Sequence, residues 1–334
     1  MSKIIKSLKN INWELFLSLL VMGLIPTIYT TVRVFFIGQL PGDWSFSIAG
    51  QLSWVNLIYE ILNEAIILPL YFFMGKVVSD KTEYTNRIKT GLIISFCIYA
   101  VCSIFICLFT NPLLVAMATS KDIIGESAIY IRIESIANIF SLLASFLLVC
   151  LVTLGKSKYV YILTGVKLAL CIIFDTFFVS TLSISANLGV NGIGYSNIVV
   201  NLLLFIVSVI LLSKEGYSIF NKEKLSFKWT KGLLKVGGIS GAESFVRNVA
   251  YMIMISRMVN MVNEQGTWWV ANILQFADVD KLFSLVMAFL GFYVLYALQN
   301  VLDCEFYGLG KTNYMLFESK EDKHPGGRIE CQTF

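Results

Sequence analysis

The sequence predicts an all-α polytopic integral membrane protein with about eight spans. Three observations carry that prediction. Hydrophobic residues make up 57% of the chain and charged residues only 14%, against about 25% charged in soluble domains. The mean hydropathy is +0.74. The apolar residues fall in repeated runs long enough to cross a hydrocarbon core of about 30 Å, which takes roughly 20 residues as a helix. A β-barrel is excluded, because its strands alternate in polarity over about ten residues and these runs are apolar all round.

The spans are read, in order, at 14–38, 52–75, 88–110, 128–153, 159–182, 192–213, 236–260 and 282–302. Pro26 and Pro69 fall inside the first two and predict kinks, which neighbouring helices tolerate at bilayer depth. Leu40-Pro41-Gly42-Asp43 and the stretch from Asn187 to Gly192 carry the Gly, Asn and Pro that mark turns. The basic N-terminal stretch from Lys3 to Lys9 leads into a full-length span, so the first helix is expected to stay as an anchor and not to be cleaved as a signal peptide.

Lysine and arginine set the orientation. The N-terminal tail, the loops at 76–89, 156–158 and 214–235, and the C-terminal tail together hold 19 basic residues, while the opposite loops hold Lys121 and Lys281. Both termini are therefore expected in the cytoplasm of a multi-pass cell-membrane (plasma or inner membrane) protein, with the lipid bilayer as its constant partner. The net charge of +4 is small and forms no basic groove with interleaved aromatics, so no nucleic-acid partner is expected. Seven cysteines (97, 102, 107, 150, 171, 304, 331) include no CxxC pair. They read as small buried hydrophobes more readily than as metal ligands or disulfides, and no metal site is expected.

An internal repeat is visible. Leu154-Gly155-Lys156-Ser157-Lys158-Tyr159 after the fourth span matches Leu309-Gly310-Lys311-Thr312-Asn313-Tyr314 after the last. A weaker echo joins Met22-Gly23-Leu24-Ile25-Pro26 to Gly237-Gly238-Ile239-Ser240-Gly241. Repeats of like orientation are one plan on which secondary transporters are built. The expected organisation is a first six-helix lobe at 1–213, a cytoplasmic linker at 214–235, a shorter second lobe at 236–319 and a polar tail at 320–334.

Ionisable groups at bilayer depth are costly and therefore mark candidate sites. Asn56, Glu60 and Asn63 share one face of the second span at i, i+4 and i+7, with Glu64 beside them. The stripe either serves a substrate path or glues helices by hydrogen bonds. Asp175 lies in the apolar run from Cys171 to Phe177. It either couples transport to a cation or proton or is locked in a structural pair with Lys167. Arg33 adds a positive charge in the first span. Arg132 and Glu134, at the head of the fourth span, either add paired charge to the site or sit at the membrane interface, where long side chains snorkel. Glu243 and Arg247 stand at i and i+4 and are read as an internal ion pair or as substrate contacts. Asp303 and Glu305 are expected to be solvated.

Enzymatic readings find no support. No HExxH, embedded histidine or nucleophile–base pair occurs in a span, and no catalytic residue is assigned. His324, the only histidine, lies in the polar tail. Gly308-Leu309-Gly310-Lys311-Thr312 imitates a phosphate loop, but that motif needs a glycine where Glu305 stands and a strand ahead of it. ATP is not expected as a partner, nor is any cofactor beyond a coupling Na+ or H+.

Taken together, these residues resemble the multidrug and toxic compound extrusion (MATE) family. The resemblance rests on Asp175-Thr176-Phe177 followed by the turn from Leu188 to Ser196, on Leu154-Gly155-Lys156, and on Pro26 with Phe35-Phe36-Ile37-Gly38. It runs through 1–275 and resumes at 282–319. It implies a MATE-like helical bundle with a complete first lobe and an incomplete second one, as if the chain jumped near 277–282 to a later helix and changed frame after Ser319. It implies export of an amphiphilic, drug-like or organic-ion small molecule by cation- or proton-coupled antiport, with Asp175 in the coupling site. The alternatives are a lipid-linked oligosaccharide flippase of the same superfamily and a non-transporting remnant. Two departures stand out. Arg33 occupies a position that is often Asp in the family, and Cys171 one that is often Asn. They move the expectation away from cation coupling at the usual site and towards an anionic or zwitterionic substrate. Glu243 does not match the family's usual second-lobe glutamate, so that role is not carried over to it.

Overall fold

The structure, a computed structural model, describes residues 29–42, 44–219 and 225–274. Helix α1 covers residues 29–38. It is followed by α2 (Ser45–Gly50), α3 (Leu52–Gly75), α4 (Lys81–Ala116), α5 (Ile124–Thr153), α6 (Ser157–Phe178), α7 (Asn191–Lys214) and α8 (Thr230–Tyr251). A π-helical turn, Met252–Ser256, carries α8 into α9 (Arg257–Met261), and α10 is Gln265–Leu274. The described residues contain no strand.

Five helical segments among them are long and apolar enough to cross a membrane: Ser45–Gly75, Lys81–Ala116, Ile124–Thr153, Ser157–Phe178 and Asn191–Lys214. The chain is a multi-pass membrane protein. Helix α8, expected as a span from 236, forms from Thr230 but is not among those five. Lys231, Lys235, Glu243, Arg247 and its glycines dilute its apolar content. The eighth span at 282–302, Asp303, Glu305, His324, Cys304, Cys331, Pro26 and the second copy of the repeat at 309–314 lie outside the described residues.

Helix α5 is the hub, packing on α7, α4 and α3, while α6 packs on α7. Its buried face carries Ile131, Phe146, Leu147 and Leu151 into a core shared with Val55, Leu70, Ile88 and Val200. Outward faces remain apolar, as on α4, where Val101 and Leu108 are 69% and 71% exposed. Such a surface is stable only against lipid.

Helix ends follow their local sequence. Asp80 caps α4 by accepting the backbone N–H groups of Thr82 and Glu83, both at 3.0 Å. At the end of α5, Gly155 takes φ +72°, its N–H reaches Val152 O at 2.9 Å and the Lys156 N–H reaches Leu151 O at 2.9 Å. This is the Schellman arrangement, in which glycine meets no Cβ penalty. The first copy of the Leu-Gly-Lys repeat is thus a helix stop. Lys156 then pairs with Glu215 at 2.7 Å, and the lysine's hydrogen bond holds the Glu215 carboxyl below its ordinary range.

Two expectations change. Pro69 sits inside an α3 that runs unbroken from Leu52 to Gly75. The kink falls in α4, where Phe109 leaves helical geometry (φ −101°, ψ 15°) just ahead of Pro112, whose ring clashes with the preceding turn. The cysteines are not uniformly buried either. Cys150 and Cys171 are, whereas Cys97 is exposed, because it faces outward on α4.

Helix α8 is held tightly to α3. A Cβ on Gly237 would stand 1.7 Å from the Ala65 carbonyl oxygen, and one on Gly241 2.8 Å from the Ala65 Cβ. This is the small-xxx-small contact by which helices approach closely in lipid. Arg247 on α8 pairs with Glu243 at 3.3 Å and also with Glu64 on α3. Beyond the far end of α8, Asn260 accepts a hydrogen bond from Gln51 at 2.8 Å and donates to Met117 O at 3.0 Å. Thr119 donates to Gln51 Oε1 at 3.0 Å. A buried polar seam therefore ties α9 to the α2–α3 junction and the α4–α5 turn.

Candidate functional site

Arg33 projects from α1 and meets Asp175, near the end of α6, in a two-point contact: Nε to Oδ2 at 2.8 Å and Nη2 to Oδ1 at 3.1 Å. The Arg33 and Asp175 side chains are 10% and 2% exposed. Planar guanidinium and carboxylate groups match in this fork, which makes it one of the stronger polar contacts available. The same Nη2 donates to Asn197 Oδ1 on α7 at 3.1 Å, and Asn197 Nδ2 donates to Glu134 Oε1 on α5 at 2.7 Å. One arginine thus stands between two carboxylates, reaching the second through an amide, and four helices are linked. Tyr29, one turn before Arg33, places its ring 5.4 Å from the guanidinium.

This network borders a cavity of about 270 Å³. Arg33, Glu134 and Asn197 line it, together with Asn56 from α3, Asn138 and Ser141 from α5, Lys167 from α6 and Asn201 from α7. Tyr29, Tyr130 and Trp269 add aromatic wall. Lys167 and Asn201 lie near the middles of their helices, so the cavity reaches bilayer depth. A neighbouring cavity of about 340 Å³ is lined by Asn56, Tyr59, Glu60, Asn63 and Tyr99, and shares Asn56, Asn138 and Ser141 with the first.

The structure sorts the residues singled out from the sequence into three places. Arg33 and Asp175 meet each other. Asn56, Glu60 and Asn63 share one face and line the second cavity. Glu64, Glu243 and Arg247 gather at the α3–α8 contact. Lys167 is not the partner of Asp175. Arg33 holds that carboxylate from across the bundle, and Lys167 faces the cavity instead. Glu134 is not interfacial: it is 3% exposed within the network, whereas Arg132, two residues away, points outward on another face and donates to Cys107 O at 3.2 Å. Asn138, Asn197 and Asn201 were not singled out. Their signal was the one applied to α3: Glu134, Asn138 and Ser141 recur at i, i+4 and i+7 in an apolar helix, and Asn197 and Asn201 at i and i+4. Among the described residues no three His, Cys, Asp or Glu side chains gather as a metal site.

This arrangement of helices has counterparts among solved structures. The outward-facing conformation of a multidrug resistance MATE family transporter of the MOP superfamily aligns with a TM-score of 0.62 at 15% identity, over 91% of this chain and 73% of that one. A MATE in complex with MaD3S aligns at 0.60 and 15%, over 89% and 75%. A mutant MATE aligns at 0.63 and 16%, over 90% and 82%. The chain has the MATE fold. At these identities the likeness is one of architecture, and it covers about three-quarters of those chains. No family model and no curated protein matches the sequence. The charge network and both cavities are built mainly from helices α1 to α7, and Trp269 of α10 reaches the first cavity.

Proposed function

We propose that this chain is a secondary transporter of the MOP type that moves a small amphiphilic organic ion across the cell membrane. The observation that carries the proposal is the polar cavity of about 270 Å³ at bilayer depth, bordered by a charged hydrogen-bond network that links four helices of a MATE fold. Buried charge of this kind costs stability, and in membrane bundles it marks ion and substrate pathways. Alternating access requires one bundle to rock against the other around such a site. The α3–α8 contact and the Gln51–Asn260 seam are the joints that this motion would work against.

Coupling to Na+ or H+ antiport belongs to the same proposal. Asp175 is engaged by Arg33, so its task in this reading is to hold the arginine in place, and Glu134 is the carboxylate that lines the cavity and is open to a coupling ion. The flippase alternative is not favoured. It calls for several free cationic groups in the central cavity, yet among the described residues only Lys167 lines it without a carboxylate partner: Arg33 is held by Asp175, Arg247 by two glutamates, and Arg132 faces outward.

The test is uptake into everted membrane vesicles, using one cationic, one anionic and one zwitterionic probe. Saturable uptake of at least one probe, lost in Glu134→Gln with expression unchanged, is the expected result. Rates equal to those of vesicles lacking the protein for all three probes would mean a non-transporting membrane protein.

A further inference from the structure

We infer that the first cavity binds a small amphiphilic zwitterion, an amino-acid-like molecule with its anionic group on Lys167 and its cationic group towards Glu134 and Asn201. Calling that ligand the transported substrate rests on the transport reading; the binding itself does not.

The inference starts from which charges are already answered. Asp175 is bound by Arg33, and Arg33 is shared with Asn197. Glu134 receives only neutral donors, the Asn197 amide at 2.7 Å and the Tyr130 hydroxyl, and no cation pairs with it directly. Lys167 lines the cavity and has no carboxylate partner among the described residues. The linked chain Asp175–Arg33–Asn197–Glu134 therefore carries one cation and two anions, and Lys167 restores neutrality from a different helix. The cavity is neutral overall but holds unlike charges that do not meet in an ion pair. A simple organic cation would satisfy Glu134 and be repelled by Lys167, and a simple anion would do the reverse. A molecule bearing both charges answers both.

A second, independent observation points the same way. Asn201 is 7% exposed and lines this cavity, and its Oδ1 has no hydrogen-bond partner. A buried polar acceptor without a donor is rare and calls for an explanation. An ammonium group supplies several donors at once. The aromatic rings of Tyr29, Tyr130 and Trp269 in the wall suit an apolar body between the two charged ends.

The experiment is equilibrium binding to the purified full chain in nanodiscs, without any ion gradient, using three probes that share a phenylethyl body: phenylalanine (both charges), 3-phenylpropanoate (anion only) and phenethylamine (cation only). Phenylalanine is expected to bind saturably at millimolar or lower concentration, at least tenfold more tightly than either relative, which corresponds to about 1.4 kcal/mol. Lys167→Met is expected to weaken phenylalanine binding at least tenfold, with Lys167→Arg restoring it to within about threefold of the wild type. Asn201→Leu is expected to weaken it severalfold. Equal or tighter binding of a singly charged relative overturns the inference, as does absence of saturable phenylalanine binding or indifference to Lys167→Met. If Lys167→Met is not monodisperse, the three-probe comparison on the wild type decides alone. Vesicle uptake of a cationic probe without phenylalanine binding would sink this inference and spare the transport reading. Binding without uptake of any probe would do the opposite.

Discussion

Breaking the Arg33–Asp175 pair should cost far more than breaking an ordinary interhelical hydrogen bond, and removing both partners should recover most of the loss. The pair joins α1 to α6 through contacts of 2.8 and 3.1 Å, and both side chains are nearly inaccessible. Asp175→Leu alone leaves a buried guanidinium with only the Asn197 amide and the Tyr29 ring to answer it. Arg33→Met alone leaves a bare carboxylate. Removing one partner of a buried pair costs about 3–5 kcal/mol, whereas interhelical hydrogen bonds in membrane proteins average about 0.6 kcal/mol and peak near 1.7. In the double variant no uncompensated charge remains. The residual penalty is that of Asn197, whose Oδ1 loses its donor, about 1–3 kcal/mol. Unfolding by SDS titration in mixed micelles, followed by tryptophan fluorescence, measures each variant. The expected double-mutant loss lies well below the sum of the single losses, with a coupling of at least about 2 kcal/mol. Additive losses, or single losses under about 1 kcal/mol, would refute the argument that this pair is a buried, mutually dependent unit.

Two further predictions follow from packing and exposure. Gly237→Ala places a methyl group 1.7 Å from the Ala65 carbonyl oxygen, so α8 must move off α3. A stability loss of at least about 2 kcal/mol is expected from such overpacking, whereas Gly238→Ala, with nothing within 4 Å, should be neutral or stabilising by up to about 1 kcal/mol; the same SDS titration compares them. In a background lacking Cys97, Cys102 and Cys107, cysteines placed at Asn56 and Glu60 should react with a membrane-impermeant thiol reagent, because both positions line a cavity. A cysteine at Leu108, on the outward apolar face of α4, should stay unlabelled in intact membranes. Mass spectrometry of the labelled protein reads all three, and labelling only at Leu108 would place the polar stripe against lipid.

Much of this molecule is legible in the order of its residues. Membrane embedding, the helical class and the segments that form α3 to α7 follow from apolar runs that have no stable alternative to helix in hydrocarbon. Leu154-Gly155-Lys156 ends a helix for a reason local to three residues. The i, i+4 pairing of Glu243 with Arg247, and the common face of Asn56, Glu60 and Asn63, follow from the helical repeat alone. What periodicity could not supply was any relation between helices. Lys167 lies on roughly the same face of α6 as Asp175 and looked like a partner for it, yet the carboxylate is met by Arg33, 142 positions away in sequence. Glu134 sits two residues from an outward-facing arginine and looked interfacial, yet α5 turns it inward between α1 and α7.

The sequence by itself determined that this chain lives in a bilayer as a bundle of helices, because hydrogen bonding and hydrophobicity act on each segment separately. Only the tertiary structure decided which buried charges are neutralised and which still face a cavity. That choice depends on distances of a few ångströms between helices far apart in the chain, and the Coulomb interaction between charges falls off with distance and not with sequence separation.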